Sequence, residues 1–275
     1  MITGGGRILE SAGELLDRYR AFAIDLDGVV WRGGRLLEGA VEGLQAIAAT
    51  GKPFILLTNN GAYRPSDVLE RLNGPGIELT AEQVLTSAVV ARKWIAGREL
   101  TGARSFILAG PNVVGQLSDV LEVRPMEPGE QAEFVLVGRY EEFNYSRLAV
   151  AADSVRDGAA FLCLNRDPVM PVEGGRVVPG TGTIVAAMEV ASGRPATVLG
   201  KPELPMMQAA ADLVGTDGVL MIGDRVESDI AGARKIGWDG ALVLTGLSVP
   251  DAVMDPAPDY VVSSLGAFAR KGAEV

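Results

Sequence analysis

Short apolar runs alternate with longer amphipathic stretches along most of the chain. Brief apolar runs between turn residues are typical of buried strands, and amphipathic stretches are typical of surface helices. The predicted strands cover residues 21–26, 53–57, 106–109, 134–137, 159–164, 197–199, 219–222, 241–244 and 260–262. The predicted helices cover residues 40–49, 65–72, 81–95, 145–155, 182–191, 205–214 and 228–236.

This alternation of strands and helices predicts an α/β fold with a mainly parallel sheet. The strands are apolar throughout rather than at every second position, so we expect both faces of the sheet to be covered. One stretch differs, because the turn sequence Glu173-Gly174-Gly175 lies between two short β-like runs. It predicts a hairpin, followed by a helix that begins at Thr181 or Thr183.

Composition narrows the classes of function. A net charge of −10 over 275 residues disfavours nucleic acid and anionic membrane as partners, because both are themselves negatively charged. No apolar run is long enough to span a bilayer, and residues 1–11 lack the apolar stretch of a secretory signal. These observations predict a cytoplasmic protein.

The chain contains no histidine, which excludes Ser-His-Asp triads and histidine-containing metal sites. Its one cysteine, Cys163, lies in an apolar run and is predicted to be a buried thiol. A single cysteine also excludes a disulfide within the chain. Chemistry must therefore come from carboxylates, Lys, Arg, hydroxyls and backbone groups.

Two aspartates, Asp25 and Asp27, lie at the carboxyl end of the first predicted strand. Strand periodicity places their side chains on the same side of the chain, at the strand end where open α/β sheets bind ligands. Two carboxylates this close are difficult to ionise together without a cation. The pair suits a metal ligand plus a carboxyl group that carries a proton, although a turn with two solvated acids has the same pattern.

A second carboxylate group follows the strand at residues 219–222. Asp224 comes directly after this strand, and Asp229 lies near the start of the next predicted helix. An acid at a helix start is also a common N-terminal cap, which is a serious alternative for Asp229. That alternative explains Asp224 less well, because Asp224 precedes the helix.

Two further strand ends carry polar groups. Thr58, Asn59 and Asn60 offer a hydroxyl and backbone amides that could cradle a phosphate, although a polar turn has the same composition. Lys201 stands at a strand end before a proline and could supply a counter-charge for phosphate. A solvated surface cation is the alternative for this lysine.

Together the four motifs follow predicted strands in the order Asp-x-Asp-Gly, Thr-Asn-Asn, Lys and Gly-Asp-x-x-x-x-Asp. This order resembles the haloacid dehalogenase superfamily over roughly residues 20–265. Asp-Leu-Asp-Gly-Val-Val, Thr-Asn-Asn, Asn-Arg-Asp at 165–167 and Pro-Gly-Thr-Gly at 179–182 resemble its type IIA branch. That branch includes 4-nitrophenylphosphatases, phosphoglycolate and glycerol-phosphate phosphatases, and the phosphatase of N-acetylglucosamine operons. The resemblance implies a Rossmann-like doubly wound parallel sheet with an inserted α/β cap domain.

The spacing of the motifs independently predicts an insertion. Thr58 and Lys201 are 143 positions apart, far more than one crossover connection requires. We therefore predict a catalytic core formed by residues 1–86 and 195–275, with an inserted cap domain at residues 87–194.

The resemblance implies a Mg²⁺-dependent phosphatase that hydrolyses a small organic phosphate monoester through an aspartyl-phosphate. Glycerol phosphate, phosphoglycolate and sugar phosphates are the implied substrate types. The implied roles are Asp25 as nucleophile, Asp27 as proton donor and acceptor, Asp25, Asp224 and the Asp27 backbone carbonyl as Mg²⁺ ligands, Thr58, Asn59, Asn60 and Lys201 as phosphate-binding groups, and Asp229 as the group that orients metal-bound water or Lys201.

The inserted domain is expected to act as a lid that admits a small molecule and contacts its leaving group. The candidate residues are Asn165, Arg166 and Asp167, for which a polar hairpin turn is the alternative. The resemblance also implies a homodimer formed through this domain. Two other functions stay open: a phosphoryl transferase or mutase, and a non-catalytic phosphometabolite-binding protein. The presence of every expected carboxylate argues against the second.

Overall fold

A computed structural model describes residues 6–75, 77–171, 176–246 and 254–270. The chain divides into two compact units. The first unit comprises Met1–Thr58, Pro65–Leu85 and Lys201–Val275, and the second comprises Asn59–Arg64 and Thr86–Gly200. The second unit therefore interrupts the first along the chain.

The elements follow one another in a regular alternation of strands and helices. Up to residue 86 they are β1 (Arg7–Leu9), α1 (Leu15–Arg18), β2 (Ala21–Asp25), β3 (Trp31–Arg32), β4 (Arg35–Leu36), α2 (Ala40–Ala48), β5 (Phe54–Thr58), α3 (Pro65–Asn73), a 3₁₀ turn (Ala81–Gln83) and β6 (Val84–Thr86). The second unit continues with α4 (Ser87–Ala96), β7 (Arg104–Leu108), α5 (Pro111–Leu117), β8 (Glu122–Val123), β9 (Phe134–Val137), α6 (Tyr145–Arg156), β10 (Ala160–Cys163), β11 (Val169–Pro171), β12 (Val177–Pro179), α7 (Thr181–Ser192) and β13 (Thr197–Val198). The last part contains α8 (Leu204–Val214), β14 (Val219–Gly223), a π-helical turn (Val226–Ile230), α9 (Ala231–Lys235), β15 (Asp239–Val243), β16 (Tyr260–Val262) and a 3₁₀ turn (Leu265–Ala269).

The first unit is built on a sheet whose described strands have the order β1-β16-β15-β14-β2-β5-β6. From β1 across to β5, each neighbouring pair is parallel. Strands β2, β5 and β14 are buried along their whole length, in agreement with the prediction from their unbroken apolar runs. Because these three strands run side by side and parallel, their carboxyl ends lie along one edge of the sheet.

The second unit has its own sheet of described strands, in the order β13-β10-β9-β7-β8, with every neighbouring pair parallel. Its buried core joins side chains of the sheet to those of α6 and α7, and includes Cys163 as a buried thiol, as predicted. Strands β11 and β12 form the predicted antiparallel hairpin, whose turn at 173–175 lies outside the described residues. Helix α7 begins at Thr181, one of the two predicted starts.

The structure corrects the helix predicted at residues 81–95. A 3₁₀ turn and strand β6 occupy its first part, and α4 begins only at Ser87. The reason is local, because the Thr86 hydroxyl accepts a hydrogen bond from the Val89 amide at 3.2 Å and so caps the helix one residue before it starts. The buried residues 84–86 add an edge strand to the sheet instead.

Two other boundaries differ from the predicted ones. Strand β13 pairs with β10 in the second sheet, so the second unit extends to Gly200 rather than ending at residue 194. The helix predicted at 228–236 begins earlier as the π-helical turn and becomes α-helical only at Ala231.

Among the described residues, no helix combines the length and the apolar character that crossing a membrane requires.

Candidate active site

Lys201 lies buried between two aspartates that come from distant parts of the first unit. Its Nζ donates to Asp229 Oδ1 at 2.6 Å and forms a second ion pair with Asp25 Oδ1. The side chains of Lys201, Asp25 and Asp229 are 2%, 7% and 1% exposed. The alternative of a solvated surface lysine is therefore wrong.

Asp224 completes a cluster of buried carboxylates. Asp25, Asp224 and Asp229 each present an oxygen, and these oxygens all lie within 4.8 Å of one another. Hard oxygen ligands in such a group are what Mg²⁺ and other hard divalent cations prefer. The donor set fits a divalent cation, because the three carboxylates face only one lysine within the cluster. Hereafter, "carboxylate cluster" means Asp25, Asp224, Asp229 and Lys201.

Burial and the neighbouring charges shift the pKa values of two groups in the cluster. Burial raises the pKa of the Asp25 carboxyl well above its usual range; Lys201 lowers it in part, whereas Asp229, Asp224 and Asp27 raise it further. Burial alone would lower the pKa of Lys201, but Asp229 and Asp25 outweigh this effect and the net pKa is raised. The lysine is thus a fixed cation. A further cation beside Asp25 would favour the charged form of the Asp25 carboxyl.

Asp229 pairs with Lys201 and also binds the backbone that follows β14. Its Oδ2 accepts hydrogen bonds from the backbone amides of Asp224 at 3.2 Å and Arg225 at 3.0 Å. The amide of Ile230 donates to the carbonyl of Arg225 at 3.3 Å, which gives this turn its wide π-helical geometry. Asp229 therefore serves both as the predicted partner of Lys201 and as a cap for the turn that presents Asp224.

Asp27 is half-buried and accepts hydrogen bonds on both carboxylate oxygens. Thr58 Oγ1 donates to Oδ2 at 2.9 Å, and Trp31 Nε1 donates to Oδ1 at 3.2 Å. The single O–H of Thr58, which we predicted to bind phosphate, is thus directed at Asp27 in this structure. Next in the chain, Gly28 has φ +96°, and a Cβ at this position would overlap the Asp224 carboxylate. Glycine is required here for both reasons.

The predicted phosphate-binding residues Asn59 and Asn60 belong to the second unit, where they are tied to that unit's own chain. The carbonyl oxygen of Asn59 accepts from Ser87 Oγ at 2.9 Å and from Asn165 Nδ2 at 2.8 Å. Asn60 Oδ1 accepts from the amide of Ala62 at 3.0 Å. These bonds orient residues 59 and 60, and their binding to phosphate stays a prediction.

The segment Asn165–Asp167, which we call the selector segment, also lies in the second unit. Asn165 is buried and its Oδ1 accepts from the amide of Asp167 at 3.1 Å, while Arg166 forms an ion pair with Glu189. The Gly182 amide donates to the Asp167 carbonyl at 2.9 Å, and a Cβ on Gly182 would overlap the Arg166 carbonyl. The Gly-Thr-Gly pattern thus lets α7 begin against this segment.

Sequence reasoning missed two contributors to the neighbourhood of the first-unit site. Trp31 carried no chemical signal, because an apolar residue in a short strand is typical of a core. Thr245 follows β15, and its hydroxyl donates to the Gly28 carbonyl at 2.6 Å. Its position at the carboxyl end of a strand adjacent to β14 was the signal that could have identified it.

The chain matches two descriptions of known families, each over part of its length. Residues 22–120 match the haloacid dehalogenase-like hydrolases, and residues 198–268 match a family described as HAD-hydrolase-like. An acid sugar phosphatase of Staphylococcus aureus is 32% identical over 242 residues, which cover 87% of this chain and 92% of the relative.

Two solved structures resemble the chain closely. The p-nitrophenyl phosphatase from Archaeoglobus fulgidus superposes with a TM-score of 0.82 at 29% identity and covers 91% of this chain and 98% of its own. A glycerol phosphate phosphatase from Mycobacterium tuberculosis, in complex with magnesium, has a TM-score of 0.77 at 30% identity and covers 92% of this chain and 77% of its own.

The chain belongs to the haloacid dehalogenase-like hydrolase family. It is an enzyme of the phosphoric monoester hydrolase class, and the predicted α/β fold with an inserted cap domain is confirmed. The resemblance to the type IIA phosphatases, stated from the four motifs, is confirmed as well.

Proposed function

We propose that the protein is a Mg²⁺-dependent phosphatase that hydrolyses a small organic phosphate monoester through a phosphorylated Asp25. The observation that carries this proposal is the carboxylate cluster, in which Asp25 is buried, oriented by Lys201 and within 4.8 Å of two further acids. A purely structural role explains the cluster poorly, because burying three carboxylates with a single lysine costs more desolvation free energy than the two ion pairs of that lysine return.

The metal would be held by the side chains of Asp25 and Asp224 together with the backbone carbonyl of Asp27. When bound there, Mg²⁺ supplies positive charge that offsets the repulsion between Asp25 and the phosphate dianion. Magnesium in the glycerol phosphate phosphatase structure supports the choice of ion. Asp229, which is bound to Lys201 and two backbone amides, would keep Asp224 in place.

The chemical steps use this chain's carboxylates. An oxygen of Asp25 attacks phosphorus, the bond from phosphorus to the leaving-group oxygen breaks, and Asp27 donates a proton to that oxygen. Asp27 then takes a proton from a water molecule, which attacks the phosphorus of the aspartyl-phosphate. Inorganic phosphate leaves and the Asp25 carboxylate is restored.

Lys201 would place its ammonium group beside the transferring phosphoryl group while it fixes the orientation of Asp25. Thr58 and the amides of Asn59 and Asn60 would bind the equatorial oxygens, where charge is concentrated in the transition state. The Thr58 hydroxyl then has to share its proton between Asp27 and the phosphate, since a hydroxyl has only one O–H.

The proposed substrate is a phosphorylated metabolite rather than a nucleic acid or a membrane lipid. The net charge of −10 supports this choice, and so do the names of the relatives that act on sugar phosphates and glycerol phosphate. We also propose that Arg166 and Asp167 of the selector segment contact the leaving group. A second domain of this size costs much conformational entropy to order, which favours a role in substrate choice.

The test is a phosphate-release assay on p-nitrophenyl phosphate and on a panel of sugar, polyol and carboxylic acid phosphates, with and without Mg²⁺. Release of inorganic phosphate from a panel member is the expected result, together with binding of beryllofluoride at Asp25 in the folded protein or an acid-stable phosphoryl group trapped on Asp25. Transfer of the phosphoryl group to a sugar hydroxyl without phosphate release would identify a transferase instead. No turnover with any substrate would favour a binding protein.

A further inference from the structure

The carboxylate of Asp27 is oriented by two donors from different parts of the first unit. Thr58 Oγ1 approaches Oδ2 from the end of β5, and Trp31 Nε1 approaches Oδ1 from β3. A carboxylate that accepts hydrogen bonds on both oxygens loses most of its freedom to rotate. A carboxylate offers about four lone-pair sites, so a group that accepts these two bonds can still exchange a proton.

Trp31 is itself held rigidly. Its side chain is 1% exposed, and the guanidinium of Arg71 lies 5.3 Å from the centre of its ring. Its carbonyl accepts from the Gly28 amide at 2.7 Å, and its amide donates to the Leu26 carbonyl at 3.1 Å. These bonds close a tight turn around Asp27, so that the position of the ring is set by the same backbone that carries the carboxylate.

Packing alone does not require an indole at this position. A buried aromatic ring contributes similar apolar area whether or not it carries an N–H, and a buried N–H costs free energy unless it finds an acceptor. Here the acceptor is the carboxylate that carries the proton in the proposed reaction. Proton transfer depends on placing that carboxylate within hydrogen-bond reach of the leaving-group oxygen.

We propose that Trp31 is a positioning residue, whose indole N–H holds the Asp27 carboxylate in the orientation that delivers a proton to the leaving group. The inference rests on the proposed role of Asp27 as general acid. Trp31 acts only through Asp27, and its loss is therefore felt most by substrates whose leaving group needs that proton.

The test compares two substrates in the Trp31→Phe variant. Glycerol phosphate expels a poor alkoxide that needs protonation, whereas p-nitrophenyl phosphate expels a good phenolate that needs little help. We measure kcat/KM for each substrate. When formation of the aspartyl-phosphate is irreversible, kcat/KM depends only on the steps up to that formation, so the later hydrolysis of this shared intermediate does not affect it. The expected result is a fall of about ten-fold in the ratio of kcat/KM for glycerol phosphate to kcat/KM for p-nitrophenyl phosphate. This fall is a part of the roughly 10²–10⁴-fold acceleration that general acid catalysis supplies.

Trp238→Phe is the matched control. Trp238 is also 1% exposed in the first unit, but its indole N–H has no hydrogen-bond partner among the described residues. The same atoms are removed from a buried ring without loss of a hydrogen bond, so the ratio should stay at the wild-type value. An equal fall of the ratio in Trp238→Phe would overturn the inference, because it would show a general packing effect.

Asp27→Asn separates this inference from the proposed function. A lower ratio in both Asp27→Asn and Trp31→Phe, with no further fall in the double variant, supports the inference. A lower ratio in Asp27→Asn with an unchanged ratio in Trp31→Phe overturns the role of Trp31 and leaves the proposed function intact. An unchanged ratio in Asp27→Asn overturns the general-acid role, and with it the inference.

A second replacement keeps the inference testable if Trp31→Phe does not fold. Site-specific incorporation of 3-benzothienylalanine at position 31 keeps the shape of the bicyclic ring and replaces only the N–H with sulfur. The same fall in the ratio is expected. An unchanged ratio in this folded variant overturns the inference.

Discussion

The ion pairs of the carboxylate cluster and of the selector segment differ in how far they are exposed to solvent. In the cluster, Lys201 is 2% exposed and its two aspartate partners are nearly as buried. In the selector segment, Arg166 is 48% exposed and its partner Glu189 is 21% exposed. Buried ion pairs carry a large desolvation cost, whereas exposed pairs contribute little in either direction. A change to the buried charges of the carboxylate cluster should therefore cost much stability, whereas a change in the exposed ion pair of the selector segment should cost little.

The largest expected effect comes from removing the nucleophile. Asp25→Asn should abolish phosphate release from every substrate, because an amide cannot form the acyl phosphate. The matched control is Asp212→Asn, since Asp212 is an exposed aspartate on α8 of the same unit and should have wild-type activity. Turnover by freshly purified Asp25→Asn protein, free of other phosphatases, would show that the cluster has another purpose.

Removal of the metal should come close to that effect. Excess EDTA should eliminate activity, Mg²⁺ should restore it, and Ca²⁺ should inhibit, because its larger and looser coordination misplaces the nucleophile. Independently of activity, saturating Mg²⁺ should raise the free energy of unfolding, by about 2.7 kcal/mol at a hundred times its Kd. Asp224→Ala should lose most of this stabilisation in thermal melts. Full activity in EDTA would contradict the metal assignment.

The third test compares a buried and an exposed lysine directly. Lys201→Met should lower the free energy of unfolding by about 3–5 kcal/mol, because Asp25 and Asp229 then face each other without a cation. Lys235→Met is the control, since Lys235 is 38% exposed and paired with Glu203 at 2.8 Å. Lys235→Met should lower the free energy of unfolding by less than about 1 kcal/mol, as measured by urea titration. Equal costs for the two variants would remove the distinction between buried and exposed charge.

The smallest expected effect on stability belongs to the selector segment. Arg166→Ala should change the free energy of unfolding by less than about 1 kcal/mol, yet alter the ranking among sugar, glycerol and glycolate phosphates. Arg156→Ala is the control, because Arg156 is 49% exposed and paired with Asp153 in the same unit. Its ranking should match the wild type. An unchanged ranking in both Arg166→Ala and Asp167→Ala would exclude the segment from substrate selection.

Local sequence patterns were sufficient to predict the strands at the centre of both sheets. Strands β2, β5 and β14 are continuous apolar runs followed at once by polar residues, and this pattern depends on a few adjacent positions. The hydrophobic pattern did not predict the structure of residues 81–95 correctly. A capping threonine splits that stretch, and the buried residues 84–86 pair at the sheet edge, where tertiary pairing overrides helical periodicity.

The sequence by itself determined the order of the four motifs, their place after strands, the insertion between Thr58 and Lys201 and the absence of histidine chemistry. Only the tertiary structure decided that Lys201 lies between Asp25 and Asp229, which are 176 and 28 positions away along the chain. It also decided that Thr58, which is 31 positions away from Asp27 along the chain, bonds to the Asp27 carboxylate. The physical reason is that ion pairing and burial depend on which strand ends become neighbours, and parallel strands bring together residues that no local pattern connects.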